Sequence, residues 1–211
     1  DLKGEGLGEA FIEAGIGHIR AVTLKTGENE ESPRRVYSRA IEVINDIFRD
    51  VRLGKIPSSA EALSVVNSMP RITLAEPHAL FALSMLKDYD NYTFTHSVNV
   101  SVLALAVGRA CDLSEEDLRI LGFGGLLHDL GKLHIDVDII TKPGKLTDEE
   151  FAQIKKHPGL GAAIVTEMEG VTSDVIDIVL GHHARFNRTG YPEEAVSRKL
   201  SAMADMTAIA D

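Results

Sequence analysis

The 211-residue sequence reads as all-α, and three observations predict it. Apolar residues recur at three- and four-residue spacing in one segment after another. Helix-start signals stand in front of several of these segments, namely Ser32-Pro33, Ser114-Glu115-Glu116-Asp117 and Thr147-Asp148-Glu149-Glu150. Nothing alternates for long enough to build a sheet.

Residues 1–31 are rich in Gly and Glu, and residues 19–24 read as a weak strand or a remnant of a preceding domain. A first helix follows Ser32-Pro33, with Val36, Ala40, Val43, Ile44 and Ile47 on one face, and ends before Gly54 and Pro57. A second starts at Ser58 or Ser59, carries Leu63, Val66 and Met69, and is expected to stop at Pro70. A third runs from Glu76-Pro77 through Leu80, Leu83, Met85 and Leu86. From Tyr92 to Ala110 the segment is apolar nearly all round, which predicts a buried helix with His96 near its start. The next helix turns Leu118, Leu121, Leu126 and Leu127 inward and ends on His128-Asp129, and Gly122, Gly124 and Gly125 would admit a neighbouring backbone.

Residues 142–145 form a turn. The helix after Thr147 places Phe151 and Ile154 on one face and is interrupted at His157-Pro158. A further helix holds Leu160, Ile164, Val165 and Met168, and another carries Val175, Ile176, Val179 and Leu180 into Gly181-His182-His183. Residues 187–192 are a loop by their Gly and Pro, and residues 200–211 return to helical spacing.

Composition is that of a soluble globular protein, 44% hydrophobic and 26% charged. The net charge of −10 argues against DNA binding through a basic face, so attraction for a phosphate substrate must come from metals and a few local cations. A single cysteine, Cys111, fits a reducing compartment and a cytoplasmic location. No run is long and apolar enough for a membrane span. The start is no signal peptide and lacks Met, so the sequence is expected to begin inside a longer protein.

His18, His78 and His134 read as ordinary surface or core residues. The other five histidines differ, because most of them stand at the end of an apolar helical run or at a helix break, where several helices can converge. Adjacent helix residues diverge by about 100°. His182-His183 can therefore serve one cluster only near a helix end, or with two metals to share, and His128-Asp129 has the same property. Two such pairs suggest a two-metal centre with Asp129 able to bridge. In such a centre a hydroxide held between the cations attacks phosphorus in line, and Lys132 neutralises a phosphate oxygen. The competing reading is a set of helix-terminal histidines that cap carbonyls.

His128-Asp129-Leu130-Gly131-Lys132 resembles the His-Asp-x-Gly-Lys signature of HD-domain phosphohydrolases. With His182-His183 followed by Gly190-Tyr191-Pro192, the chain is similar to the HD-GYP subfamily, bacterial cyclic di-GMP phosphodiesterases. His96-Ser97-Val98-Asn99-Val100, Lys142-Pro143-Gly144-Lys145-Leu146-Thr147 and Ala208-Ile209-Ala210-Asp211 carry the likeness further, from about Tyr92 to the end.

The resemblance implies an HD-domain helical bundle with a short helical or irregular lead-in. It divides the chain into an accessory-domain remnant or linker (1–31), a helical lead-in (32–88) and a catalytic domain (89–211) that the family continues past Asp211. It implies metal ligands at His96, His128, Asp129, His157, His182, His183 and Asp211, with Asp129 bridging and Lys132 near the substrate phosphate. Arg185, Arg188, Gly190, Tyr191 and Pro192 are implied as substrate-facing. The implied cofactors are two divalent ions, Fe or Mn first, with Zn, Ni or Mg as further options. The implied reaction is hydrolysis of cyclic di-GMP to linear pGpG and GMP by a metal-bridging hydroxide, some relatives taking cyclic GMP-AMP instead. The implied partner is a diguanylate cyclase domain at the Gly190 loop, and the implied assembly a homodimer.

The chain departs from the family pattern at Ala184, usually Glu, at Asn187-Arg188, usually Asp-Gly, at Asp205, often Arg, and at Asp136, often Pro. Tyr92 replaces a Glu that holds a third metal in some relatives, which favours two metals. These departures motivate a second reading, a degenerate module that binds a cyclic dinucleotide or a diguanylate cyclase without turnover. A third, an HD nucleotidase acting on mononucleotides, is opposed by the Gly-Tyr-Pro loop.

Overall fold

A computed structural model describes residues 32–75, 92–187 and 189–211. The expected strand at 19–24 and the helix expected from Glu76, together with His18, His78 and Arg188, lie outside the described residues. The described residues belong to one compact unit, Glu31–Asp211. Among them there are helices and a single isolated β-bridge, and no strand.

Helix α1 (Pro33–Arg52) begins as its sequence dictates: Ser32 caps it by accepting from the Arg35 amide, and Pro33 occupies the first turn. Gly54 follows the helix with φ +70, a backbone conformation that suits glycine. Helix α2 (Ser59–Ala75) corrects the expected stop, because it passes through Pro70. Val65, Val66, Met69 and Pro70 are buried there, so packing offsets the hydrogen bond that proline removes.

Helices α3 (Tyr92–Ala110) and α4 (Glu115–Leu127) pair as a hairpin. Ser101 and Gly125 show why they approach closely. A Cβ on Gly125 would lie 3.1 Å from Ser101 Cα, and the Ser101 hydroxyl donates to the Gly122 carbonyl at 2.7 Å. The expected backbone approach thus holds at Gly125 only; Gly122 and Gly124 make room for the side chains of Leu105 and Ile178. The burial expected of α3 also weakens toward its end, where Ala106 and Arg109 are exposed.

A short 3-10 helix (Leu130–His134) follows, then α5 (Val137–Ile140), α6 (Asp148–Ile154), α7 (His157–Glu167), α8 (Ser173–Gly181), α9 (Glu193–Val196) and α10 (Ala202–Ala210). One core joins Ile44 and Phe48 of α1 to Met69, Leu105, Leu127, Leu130, Val165 and Val179. The two lead-in helices therefore share the core of the elements that carry the histidines. No helix among the described residues is long and apolar enough to cross a membrane.

Candidate metal centre

Three histidines are presented by one repeated device. His128 follows α4, His182 follows α8, and His157 opens α7 three residues past the end of α6. In each case ring Nδ1 meets the carbonyl three residues earlier: Gly125 at 2.7 Å, Val179 at 2.8 Å and Ile154 at 2.8 Å. A carbonyl only accepts, so Nδ1 carries the proton and Nε2 is left for the centre. The carbonyl also fixes the ring, as outer partners of metal-ligating histidines do. Capping and ligation, rivals in the sequence, are here compatible on one ring.

The consequence is a cluster of Nε2 atoms. His157 Nε2 and His182 Nε2 face each other at 3.0 Å. With both Nδ1 atoms committed to carbonyls, two neutral imidazoles would turn lone pairs toward one another. His128 Nε2 and Asp129 Oδ1 are buried without a hydrogen-bond partner. Buried groups of this kind are costly unless satisfied. A cation among them satisfies all, so the residues fit a bound metal.

Asp129 faces two ways. Its Oδ2 lies 3.6 Å from His96 Nε2 and 3.3 Å from His128 Nε2. Its Oδ1 lies 3.4 Å from His157 Nε2 and 4.0 Å from His182 Nε2. Asp211, after α10, repeats the pattern: Oδ1 meets His96 at 2.9 Å and His128 at 3.4 Å, while Oδ2 points at His183 Nδ1, 3.8 Å away. Three overlapping triads could each hold an ion: His96-His128-Asp129, His157-His182-His183 and His128-His182-Asp211. All seven residues expected as ligands converge here, whereas His134 stays outside these groups and exposed.

The electrostatics describe a site that seeks positive charge. Burial opposes a proton on His128, yet the carboxylates of Asp129 and Asp211 outweigh it and raise the imidazole to about 10. Burial pushes Asp129 upward, but His128 and then Lys132 hold its carboxyl well below the usual range. Asp211 is opposed by burial and held low by the imidazoles of His128 and His96 beside it. Burial lowers His157 to about 4 and lowers His182 and His183 as well.

Gly131 sets the spacing of this centre. A Cβ there would run into the His157 carbonyl and the Gly161 amide, so only glycine lets the 3-10 helix lie on the start of α7. That contact brings Asp129 to His157. Lys132, expected at a substrate phosphate, donates to Asp129 Oδ2 at 2.7 Å.

The loop after His183 is zipped back onto it. Ala184 and Gly190 form the isolated bridge, Arg185 N donates to Thr189 O at 2.8 Å and Tyr191 N to His183 O at 3.2 Å. Gly190 has φ +107, and a Cβ on it would strike the His183 carbonyl. Tyr191 packs its ring 4.7 Å from that of His183 and 6.2 Å from that of His157. Arg185 is exposed and Pro192 half-buried. Two departures have local work: Asn187 Oδ1 accepts from the Thr189 amide and hydroxyl, and Asp136 caps α5 through the Asp138 amide. Sequence reasoning missed the three carbonyl anchors and the Gly131 contact; the i−3 spacing from a histidine to a helix end was the available signal.

Residues 81–211 match the HD domain. The chain belongs to the HD-domain family. Its ordered motifs place it with the HD-GYP proteins of that family. Cyclic di-GMP phosphodiesterase PA4108 of Pseudomonas aeruginosa is 39% identical over 174 residues, 82% of this chain and 42% of that protein. 3'3'-cGAMP-specific phosphodiesterase 1 of Vibrio cholerae is 30% identical over 133 residues, 63% of this chain and 31% of that protein. The HD-GYP chain thus spans less than half the length of either relative. The solved structure of Bd1817, an HDG"Y"P protein from Bdellovibrio bacteriovorus, superposes with a TM-score of 0.71 at 20% identity, over 88% of this chain and 61% of that one, and shares the fold.

Proposed function

We propose that this HD-GYP chain hydrolyses the phosphodiester bonds of cyclic di-GMP, to linear pGpG and on to GMP, in a metal-dependent reaction. The observation that carries the reading is Asp129, whose two oxygens face different imidazoles, His96 and His128 on one side, His157 and His182 on the other. One carboxylate set between two nitrogen groups is what a bridged pair of cations needs. The names of the relatives, phosphodiesterases of cyclic di-GMP and of 3'3'-cGAMP, support the substrate class.

Two divalent ions, Fe or Mn before Zn, Ni or Mg, would be held by His96, His128, Asp129, His157, His182, His183 and Asp211. Bound there, they supply Lewis acidity and a nucleophilic water. The chain's own residues do the rest. The Gly125, Ile154 and Val179 carbonyls orient three of the imidazoles. Lys132, 2.7 Å from Asp129, supplies the cation beside the centre that would neutralise a phosphate oxygen. Arg185, Arg188, Gly190, Tyr191 and Pro192 border the substrate. The reading includes 3'3'-cGAMP as a second substrate, a diguanylate cyclase docking at the Gly190 loop, a homodimer, a cytoplasmic location, and the division at 31 and 88 into linker, lead-in and catalytic domain.

The protein is purified with Mn or Fe, its metal content measured, and cyclic di-GMP turnover followed by product chromatography. Linear dinucleotide is expected, and its formation is lost in Asp129→Ala. Binding of cyclic di-GMP without turnover at every metal loading sinks the enzyme reading and leaves a binding module.

A further inference from the structure

Phe151 is out of place as a core residue. Sequence spacing puts it on one face with Ile154, yet α6 contributes no buried residue and Phe151 stays 44% exposed. Its surroundings are specific. Its ring meets that of Tyr191 edge-to-face, centroids 6.2 Å apart at 85°. The Lys155 ammonium sits over the ring, 5.3 Å from its centroid. Tyr191 in turn lies 4.7 Å from the His183 ring and 6.2 Å from the His157 ring. A continuous chain of ring contacts thus leads from the metal centre to a half-exposed aromatic on the surface.

In a nucleotide, the base is separated from its phosphate by one sugar, about one ring in width. Tyr191 is likewise one ring interposed between the imidazoles and Phe151. With a phosphate at the histidines, the sugar lies over Tyr191 and the base reaches Phe151. Every base has a π-face that stacks on an aromatic side chain, so this contact gives affinity with little demand on hydrogen bonding. Lys155 lies over the ring and Tyr191 meets it edge-to-face, and the part of Phe151 that stays exposed, 44%, is the part a base would cover.

We propose, resting on the cyclic dinucleotide phosphodiesterase reading, that Phe151 is the stacking wall for one nucleobase of the substrate. The rival role is a prop that only holds Tyr191 upright. The two roles separate because a prop serves every phosphodiester, whereas a wall serves only those with a base. Titration calorimetry on the metal-loaded protein uses a non-hydrolysable phosphorothioate cyclic di-GMP. Steady-state assays compare cyclic di-GMP with methyl p-nitrophenyl phosphate, which lacks a base. Phe151→Leu keeps an apolar contact for Tyr191 and removes the π-face. It is expected to weaken binding about 5- to 100-fold and to raise KM for cyclic di-GMP while changing kcat little. Phe151→Trp is expected to keep wild-type affinity. Equal binding by wild type and Phe151→Leu overturns the wall. So does an equal loss of kcat on both substrates, which assigns Phe151 the prop role. If the wild-type protein itself neither binds nor cleaves cyclic di-GMP, the phosphodiesterase reading falls and takes the wall with it.

Discussion

The floor of the site and its rim are built on opposite plans. On the floor, His128, Asp129, His157 and His182 are buried, and each histidine is fixed by a carbonyl in its own chain neighbourhood. At the rim, Phe186 is 89% exposed and the hairpin between His183 and Tyr191 is held by a few backbone bonds and the Asn187 turn. A buried polar cluster admits almost no substitution, since any loss leaves an unpaired group. An exposed hairpin tolerates change. The departure at Asn187 falls in the hairpin, and the seven residues expected as ligands gather at and around the floor. Ala184 links the two, buried beside His183 yet bridged to Gly190.

Asp129→Asn tests the floor hardest. The amide keeps the shape but loses the charge that serves both sets of imidazoles. Turnover should fall by about 10³-fold or more, with bound metal reduced in parallel. Retention of both metals and of activity would break the idea that one carboxylate serves two ions. Next in size, Gly131→Ala forces a Cβ into the backbone at His157 and Gly161. Overpacking against backbone should cost about 1–3 kcal/mol, read as a lower Tm, with weaker metal binding because His157 moves from Asp129. At the junction of floor and rim, Tyr191→Ala removes the ring that backs His183. Metal affinity should drop about tenfold, as for other supports of metal ligands. Tyr191→Phe should change little, because burial holds the phenol neutral, up to about 12, and the ring is what packs.

The floor was legible in the sequence because its plan is local. A histidine that ends an apolar helical run or stands at a helix break announces a convergence of helix ends; His128 and His182 do the first and His157 the second. Their orientation was not legible, since capping a carbonyl and binding a metal looked like alternatives. Only the three-dimensional position of Nε2 shows that a ring which caps a carbonyl is also free to turn its other nitrogen to a metal. Periodicity failed where tertiary packing decides. It stopped α2 at Pro70, although burial of Val66 and Met69 carries the helix past it. It put Phe151 and Ile154 on one face of α6 but could not tell that neither residue is buried there. It also gave Gly122, Gly124 and Gly125 alike to a neighbouring backbone, although only Gly125 meets one, because that depends on which residue the neighbouring helix presents.

The smallest effect probes whether floor and rim are separable at all. Helix α6 is seven residues long and buries none of them, so its ends must hold it. The Thr147 hydroxyl accepts from the Glu150 amide at 3.2 Å, and Glu150 accepts from the Thr147 amide at 2.7 Å. Lys142 grips both oxygens of the same Glu150. Thr147→Ala removes one arm of this box and should cost about 1 kcal/mol. Because α6 is peripheral, that cost should appear as local fraying: amide exchange over 150–154 should speed up about fivefold, with Tm nearly constant. The last carbonyl of α6, on Ile154, is also the anchor of His157. If α7 alone places His157, metal affinity will not respond to Thr147→Ala. A fall in affinity as large as that of Tyr191→Ala would mean that a rim helix sets the position of a floor ligand, and the division between the two would collapse.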